Sequence, residues 1–218
     1  MIVLALDTAG VDCAVAVYNS DGDSVLGEVT ETIGRGHAER LMAILDETLA
    51  KAGLGLDAVD RIAVTIGPGS FTGIRVGVAA ARGLALSLGI PAVGVTTLET
   101  MAAAALEQAP GQPVLAARDA KRDEIYLQTF DENGAPSSEA QALPVADART
   151  LAGGFDGTIT GSAAPLLKSE PANDQPDSFP IALVARLGAL KPVGEKPKPL
   201  YLRGPDARPQ AGYAVARI

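Results

Sequence analysis

Apolar positions in the first half of the chain follow two kinds of pattern: short runs bounded by turn residues, and longer repeats at three- and four-residue spacing. The short runs predict strands, and the segment from Asn19 to Gly22 reads as a turn between two of them. The longer repeats predict helices, the first of which ends at Gly53. Together they predict a βββαβα unit and one further strand, with strands over residues 2–6, 13–18, 24–30, 61–66 and 92–95 and helices over 41–52 and 74–88.

The second half of the chain begins by repeating the first. The segment VLAARDAKRDEIYLQTFDENG, which starts at Val114, echoes VLALDTAGVDCAVAVYNSDG, which starts at Val3. In each segment an apolar strand ends at an aspartate, and a turn glycine follows fifteen residues later. This shared register indicates an internal duplication. The corresponding pairs are Asp7 and Gly22 in the first segment, and Asp119 and Gly134 in the second.

The rest of the second half is reduced. A strand-like run over 158–160 leads into a small loop at Gly161, as the earlier strand leads into Gly67. Residues 169–180 are rich in Pro, Asp and Ser, so we expect a loop there. Only residues 179–190 predict a substantial helix of the second half.

Two βββαβα lobes with an aspartate after the first strand are the arrangement of actin, Hsp70 and the sugar kinases, in which nucleotide binds between the lobes. We therefore predict a two-lobed actin-like α/β fold (ASKHA, ribonuclease H-like) with a duplicated βββαβα core and a reduced second lobe. The N-terminal lobe is expected over residues 1–105. The smaller C-terminal lobe, with an extended Pro-rich tail, is expected over residues 106–218.

Charge is unevenly distributed along the chain. The formal net charge is −8, and residues 191–218 carry six Lys/Arg against two acidic residues, so the tail holds +4 and the rest −12. An acidic body repels a phosphate backbone, so contact with nucleic acid would have to come from a partner or from the tail. The apolar stretch 76–90 is interrupted by Arg82, and residues 2–6 are too short for a signal-peptide core. We expect a cytoplasmic protein without membrane contact, in which the single Cys13 is a buried small residue.

The segment GPGSFTGIRVG, which begins at Gly67, joins a predicted strand to a predicted helix. A glycine loop in that position aims free backbone N–H groups at one point and is typical of phosphate binding. It departs from the Walker signature because Ile74 and Arg75 follow the last glycine, and from the dinucleotide fingerprint because Thr72 stands at the third glycine. A nucleophile elbow around Ser70 lacks its glycines and a histidine later in the chain. A tight packing turn is an equally good interpretation.

Five motifs carry a resemblance to a known family: LALDTAG, GHAERLMAIL, IGPGSFTGIRVGVAAARGLA, DAKRDEIY and PLYLR. With them the chain resembles, nearly end to end, the TsaB (YeaZ) family of bacterial tRNA threonylcarbamoyladenosine (t6A) synthesis, within the glycoprotease-like superfamily. The resemblance implies an inactive paralogue that serves as a non-catalytic scaffold for threonylcarbamoyl transfer to the adenosine next to the anticodon. It also implies dimerisation with the catalytic subunit TsaD, association of the ATPase TsaE, tRNA contact through the complex, and a homodimer when the chain is alone.

The resemblance also bears on catalysis. TsaD-type sequences carry two metal-binding histidines four residues apart, a spacing that places both on one helical face. Thr97 and Met101 stand in their place here, and neither can replace an imidazole. With His37 as the only histidine, we expect no metal site and no cofactor on this chain alone, and ATP and a metal ion only in the assembled complex. The alternative is a metal-dependent glycopeptidase-like enzyme or an ATP-dependent small-molecule kinase.

Four residues are candidates for a weak, vestigial nucleotide contact. In active relatives of this architecture, an acidic residue after the first strand helps to organise a metal-bound phosphate. Aspartate also stabilises turns through its side-chain oxygen, and we favour that role here. The candidates are Asp7, Thr8, Gly67 and Gly69.

The two helices of the first lobe are the candidate partner surface. Between Ile74 and Leu88 only Arg75, Arg82 and Ser87 are polar, so one face can cover the sheet while small residues elsewhere allow a close helix approach. Burial of those small residues within the chain is the alternative interpretation. The candidate interface residues are His37, Leu41, Arg75, Gly77, Val78, Ala81, Arg82 and Ala85, with Ala81 placed on the outward small-residue surface.

Overall fold

The computed structural model describes residues 1–170 and 177–203 of the chain. Its strands are β1 (Ile2–Asp7), β2 (Asp12–Asn19), β3 (Ser24–Thr32), β4 (Arg61–Thr65), β5 (Ala92–Val95), β6 (Val114–Lys121), β7 (Glu124–Phe130), β8 (Gln141–Pro144) and β9 (Thr158–Thr160). Its helices are α1 (His37–Ala52), α2 (Phe71–Leu88), α3 (Thr97–Gln108), α4 (Val145–Gly153), α5 (Ala164–Leu167) and α6 (Ile181–Leu190).

The first sheet has five strands in the order β3-β2-β1-β4-β5. β1, β2 and β3 pair antiparallel, whereas β4 and β5 continue the sheet in parallel with β1. Nearly all residues of β1 and β2 are buried, as expected for strands whose two faces are both covered. α1 and α2 cover one face, where Leu4, Leu45 and Ile74 belong to one apolar core.

The second sheet repeats the order of the first with one strand fewer, as β8-β7-β6-β9. β6, β7 and β8 pair antiparallel, and β9 lies parallel to β6 as β4 lies parallel to β1. α4 and α5 cover one face, around Leu127, Ala148 and Leu167. This order confirms the predicted two-lobed α/β fold with a duplicated core and a reduced second half.

Each sheet is covered on its other face by a helix from the other half of the chain. α3 follows β5 of the first sheet, yet its Leu98 and Ala102 pack with Val114 of the second. α6 comes last, yet its Ile181 and Val184 pack on the first sheet. The helix predicted over 179–190 exists, but its assignment to the second lobe is wrong. It packs on the face of the first sheet opposite α1 and α2, where small apolar residues allow a close approach. The division at residue 105 stays a prediction.

Predicted and observed bounds agree best where a glycine stops an element. α1 and α2 both end at a glycine in the left-handed conformation, Gly53 at φ 65° and Gly89 at φ 69°. The predicted starts are three or four residues late, since α1 begins at His37 and α2 at Phe71, ahead of the apolar repeat. The strand predicted over 158–160 is confirmed, and the expected loop over 169–180 lies partly outside the described residues.

Within residues 1–170 and 177–203, only α2 has the length and mean hydropathy of a membrane-spanning helix, 1.3 over 18 residues. The core helix of a globular protein passes the same test. α2 packs one face against the first sheet and carries two exposed arginines, Arg75 and Arg82. The length and composition of this one helix are therefore weak grounds for a membrane span.

α6 approaches the first sheet closely at Gly188. A Cβ added there would lie 2.3 Å from the Cβ of Ala63 in β4. Nη1 of Arg61 donates to three carbonyl oxygens at the end of α6, those of Gly188 at 3.0 Å, Ala189 at 2.9 Å and Lys191 at 2.8 Å. A cation on the last carbonyls of a helix stabilises its C-terminus.

We predict opposite effects for alanine at two helix glycines. Gly188→Ala should destabilise the protein by about 1–3 kcal/mol because its methyl group collides with Ala63. Gly83→Ala in α2, where a Cβ meets nothing within 4 Å, should instead stabilise it by about 0.5–1 kcal/mol through helix propensity. Denaturant unfolding of both variants checks this, and a stabilised Gly188→Ala would contradict the close packing.

Candidate functional site: a closed cleft and an exposed helix face

A small pocket lies between the two sheets, where β1 ends at Asp7 and β6 presents Arg118. The segment 177–179 closes the opening between them. The free volume is about 10 Å³, roughly what a single water molecule needs. In this conformation the pocket is therefore too small for a nucleotide. Its lining residues are Asp7, Ala9, Gly10, Asp12, Arg118, Asp177, Ser178 and Phe179.

Asp7 is buried in the wall of this pocket. Its Oδ1 accepts the backbone N–H of Ala9 at 2.9 Å, the hydrogen bond of an aspartate-stabilised turn. Burial raises the pKa of the Asp7 carboxyl above its ordinary value, although the Ala9 hydrogen bond and the charge of Arg118 oppose that rise. A carboxylate that organises a metal-bound phosphate must be ionised and accessible. The surroundings of Asp7 therefore favour the turn role.

The glycine loop packs directly on the turn that follows β1. A Cβ at Gly69 would lie 2.3 Å from the carbonyl oxygen of Ala9, and one at Gly73 would lie 1.9 Å from that of Thr8. The N–H of Ser70 donates to the Ala9 carbonyl at 2.8 Å. The Ser70 hydroxyl oxygen caps α2 by accepting the N–H of Gly73 at 3.2 Å. Glycine is therefore required at positions 69 and 73 by close packing within the chain, whether or not a ligand is bound.

The four candidate nucleotide residues lie close together, but their contacts are with this chain. Thr8 is fully buried, and its hydroxyl donates to the Gly73 carbonyl at 2.7 Å. Gly67 has φ 101°, a conformation that favours glycine, and a Cβ there would lie 2.7 Å from Cδ1 of Ile74. These residues do not fit a phosphate at the loop, and we derive no step through a nucleotide.

A polar network closes the pocket from the side of the second sheet. Nη1 of Arg118 donates to the carbonyl of Pro68 in the glycine loop at 3.2 Å, and its Nε lies 3.4 Å from Oδ2 of Asp177. The N–H and the hydroxyl of Ser162 both donate to the Asp177 carboxylate, at 2.6 and 2.8 Å. This network is not predictable from the sequence, because Asp177 lies in a Pro- and Asp-rich stretch without periodic signal.

Asp12 connects the pocket to α1. Its Oδ1 accepts the hydroxyl of Thr32 at 2.6 Å, and its Oδ2 accepts that of Ser178 at 3.1 Å. The backbone carbonyl of Asp12 lies 3.1 Å from Nε2 of His37, which must carry a proton to make this bond. His37 is the first residue of α1 and is buried. These contacts support a role at the helix start and leave His37 away from the exposed surface.

The residues at the positions of the TsaD-type histidine pair are also buried. Thr97 and Met101 lie one turn apart in α3, and a Cβ at Gly161 would lie 2.1 Å from Cε of Met101. Among the described residues, no three His, Cys, Asp or Glu side chains are arranged to hold a metal ion. Cys13 is fully buried, and burial, followed by the charges of Asp7 and Glu31, raises the pKa of its thiol to about 11.

Six of the eight candidate interface residues face the core of their own lobe. Ala81 is 0% exposed and packs on the first sheet, so its assignment to an outward surface is wrong. α2 turns one stripe of small residues toward the sheet, because the helix lies close to β4 and β1. A Cβ at Gly77, for example, would lie 2.5 Å from the Thr8 hydroxyl oxygen. The buried candidates are His37, Leu41, Gly77, Val78, Ala81 and Ala85.

The outward face of α2 consists of different residues from those expected. Arg75 and Arg82 are exposed as expected, and the face also contains two large apolar side chains, Phe71 at 53% and Leu86 at 78% exposure. Ala79 and Gly83 lie between them and are exposed. We call this set of six residues the α2 outer face. Aromatic residues and arginine are enriched at protein interfaces, and small residues allow close helix approach.

An aromatic cluster fixes the N-terminal end of the α2 outer face. The Arg75 guanidinium lies 3.6 Å from the centroid of the Phe71 ring, and its Nε donates to the Tyr201 hydroxyl at 2.8 Å. The rings of Phe71 and Tyr201 are 5.2 Å apart. Leu200 donates its N–H to the Ile66 carbonyl at 2.8 Å, which holds the PLYLR segment beside the helix. Phe71 and Arg75 are thus ordered while remaining partly exposed.

The fold and the closed cleft define a two-lobed actin-like protein without room for a nucleotide between its lobes. A family model described as tRNA N6-adenosine threonylcarbamoyltransferase (TsaD) matches residues 21–152. The tRNA threonylcarbamoyladenosine biosynthesis protein TsaB of Escherichia coli (strain K12) is 40% identical over 136 residues, which cover 62% of this chain and 58% of that protein. The structure of YeaZ from Pseudomonas aeruginosa superposes with a TM-score of 0.76 at 30% identity and covers 92% of this chain and 99% of YeaZ.

The chain belongs to the TsaB (YeaZ) family. The TsaB protein of Haemophilus influenzae is likewise 40% identical, over 127 residues. The matched regions span 58% of the E. coli relative and 52% of the H. influenzae relative. The predicted family and fold are thereby confirmed.

We predict that Asp7→Asn raises the melting temperature at neutral pH. Asparagine keeps an acceptor for the Ala9 N–H and removes a buried charge. Because the pKa of Asp7 is raised in the folded state, the wild type is favoured at low pH and loses stability as the pH rises through that pKa. Each kcal/mol gained in the free energy of unfolding raises the melting temperature by about 2–4 °C in a protein of this size.

Thermal melts from about pH 4 to neutral pH check this expectation, and the advantage of Asp7→Asn should shrink toward the acidic end. The exposed substitution Asp46→Asn serves as the control, with no comparable pH trend expected. A lower melting temperature of Asp7→Asn at neutral pH would indicate that the ionised carboxylate itself stabilises the turn.

Proposed function

We propose that this chain is a non-catalytic scaffold subunit for threonylcarbamoyl transfer to the adenosine next to the anticodon of tRNA (t6A modification). In this proposal it acts by dimerising with and activating the catalytic subunit TsaD. The observation that carries the proposal is the α2 outer face. The names of the E. coli and H. influenzae TsaB relatives supply the biosynthetic process, and the matching family model describes the transferase.

The α2 outer face suits a close helix pair. No acidic residue occurs anywhere in α2, although the whole chain has a formal net charge of −8. Exposed Ala79 and Gly83 let a partner backbone come near, and Phe71 and Leu86 provide apolar area. Arg75, already held by Phe71 and Tyr201, loses little conformational freedom on binding. A partner with an apolar helix and acidic groups at its rim fits this surface.

The residues of the cleft and of α3 argue against catalysis by this chain alone. The pocket beside Asp7 has room for about one water molecule, and the glycine loop packs on Thr8 and Ala9. Thr97 and Met101 are buried in α3. We therefore expect no ATP turnover and no peptide cleavage from the purified chain without TsaD and TsaE. ATP and a metal ion would belong to the assembled complex.

The proposed setting is a cytoplasmic complex. TsaE would join the pair of this chain and TsaD, and tRNA would be contacted through the complex because the −12 body opposes phosphates. In the absence of TsaD, the α2 outer face would remain open to a second copy of this chain. A homodimer would then use the same surface as the heterodimer.

We predict that Gly83→Arg abolishes TsaD binding while the fold survives. A Cβ at Gly83 meets nothing within 4 Å, so the substitution adds a long charged side chain only to the outer face. Loss of a close-packed helix contact costs on the order of a thousandfold in affinity. Gly153→Arg in α4 is the matched control, since its Cβ is equally unobstructed and lies on the second lobe.

The measurement is the affinity of each variant for TsaD by calorimetry, together with its melting temperature and its t6A modification of tRNA with TsaD and TsaE. Ala81→Arg separates packing from binding, because a charge at a fully buried position should unfold the lobe. If well-folded Gly83→Arg binds TsaD and supports t6A formation as the wild type does, the α2 outer face is not the interface.

A further inference from the structure

The carboxylate of Asp177 is held in the way that a bound anion would be. Its Oδ1 accepts the backbone N–H of Ser162 at 2.6 Å, and its Oδ2 accepts the Ser162 hydroxyl at 2.8 Å. Nε of Arg118 lies 3.4 Å from the same Oδ2. The Asp177 side chain is only 4% exposed, so bulk water and salt screen this ion pair little.

Other contacts orient the groups that face Asp177. The Ser162 hydroxyl oxygen accepts the N–H of Asp119 at 3.0 Å, which leaves its own proton for the carboxylate. The bond from Nη1 of Arg118 to the Pro68 carbonyl holds the guanidinium with its Nε toward Asp177. Two neutral donors and one cation therefore converge on one point. Such convergence is typical of oxyanion recognition.

The loop that supplies Ser162 is the second-lobe counterpart of the glycine loop. Gly161 directly follows β9, which is parallel to β6, and Gly67 comes shortly after β4, which is parallel to β1. Both glycines have the same backbone angle, φ 101°. The two loops thus share their topological position and their conformation. In the first lobe the loop closes on Ala9, whereas in the second lobe it presents donors that Asp177 occupies.

We propose that Ser162 and Arg118 form an oxyanion site in the second lobe, and that Asp177 is the ligand which the chain itself supplies to it. The internal carboxylate keeps Arg118 paired without a dissociable ion. It also ties the second-lobe loop to the first lobe, since Arg118 contacts Pro68 and the neighbouring Ser178 contacts Asp12. With the Asp177 side chain removed, the site takes a small inorganic oxyanion such as phosphate. The inference is independent of the proposed function, which concerns α2.

The test is rescue of Asp177→Ala by phosphate. Asp177→Ala removes the carboxylate that pairs directly with Arg118 in a poorly hydrated site, so the melting temperature should fall by about 10 °C. Phosphate should restore a large part of this loss in a saturable manner, because a ligand of the folded state raises its stability with concentration. Chloride at the same ionic strength should not. Wild-type protein should show no saturable response.

Asp177→Asn is the matched control, because the amide fills the same space without the charge and leaves no room for an external anion. The double variant Asp177→Ala/Arg118→Met lacks the cation and should not respond to phosphate either. The proposal is overturned if Asp177→Ala has the same melting temperature as the wild type. It is also overturned if phosphate raises the melting temperatures of Asp177→Ala and Asp177→Asn equally.

If Asp177→Ala is unfolded when purified, refolding from denaturant in phosphate or in chloride allows the same comparison between the two salts. Phosphate should then raise the folded yield of Asp177→Ala over the yield in chloride, and should leave that of Asp177→Asn unchanged. Equal yields of Asp177→Ala in the two salts would overturn the proposal.

Discussion

A methyl group at Gly188 would collide with Ala63, which shows how closely α6 packs on the first sheet. Arg61 holds the end of α6 there through three carbonyl oxygens. Residues 177–179, which come shortly before α6, line the cleft between the sheets. This position places Asp177 and Ser178 against polar groups of both lobes and brings Phe179 to the cores of both. The residues that lead into α6 therefore also close the cleft.

The first-lobe glycine loop has the sequence character of a phosphate loop, yet its geometry serves packing. Gly69 and Gly73 have no space for a side chain because the carbonyl oxygens of Ala9 and Thr8 stand against them. A loop that wraps an external phosphate instead keeps its N–H groups free for that ligand. Here the Ser70 N–H already donates a hydrogen bond to the Ala9 carbonyl, and the Gly73 N–H donates one to the Ser70 hydroxyl oxygen. The same strand-loop-helix arrangement can therefore lose ligand binding while its backbone path is kept.

Sequence alone could predict the elements of the first half, the duplication and the fold, because strand runs, helical repeats and stop glycines such as Gly53 are local signals. The Thr96 to Glu99 capping box of α3 is also a local signal, for the start of a helix that the apolar pattern alone does not predict. The side of α2 that faces outward was not predictable, since apolar and small residues surround the helix and Ala79 and Ala81 look alike until the sheet is placed. Asp177 was equally hidden, because its partners lie 15 and 59 positions away along the chain and follow no local pattern.

The two halves of the duplicated core close their matching loops by different means, and this difference bears on how the molecule is held rigid. The first loop is fixed by an uncharged backbone hydrogen bond, from the Ser70 N–H to the Ala9 carbonyl, and by the close packing of Gly69 on Ala9. The second is fixed by the carboxylate of Asp177, which depends on charge. Neither closure requires an external ligand, so the relation between the lobes is set within the chain. The proposed scaffold role would benefit from this, because a surface such as the α2 outer face would keep one geometry whether or not a nucleotide is present. Preorganisation of that kind lowers the entropic cost of pairing with a partner.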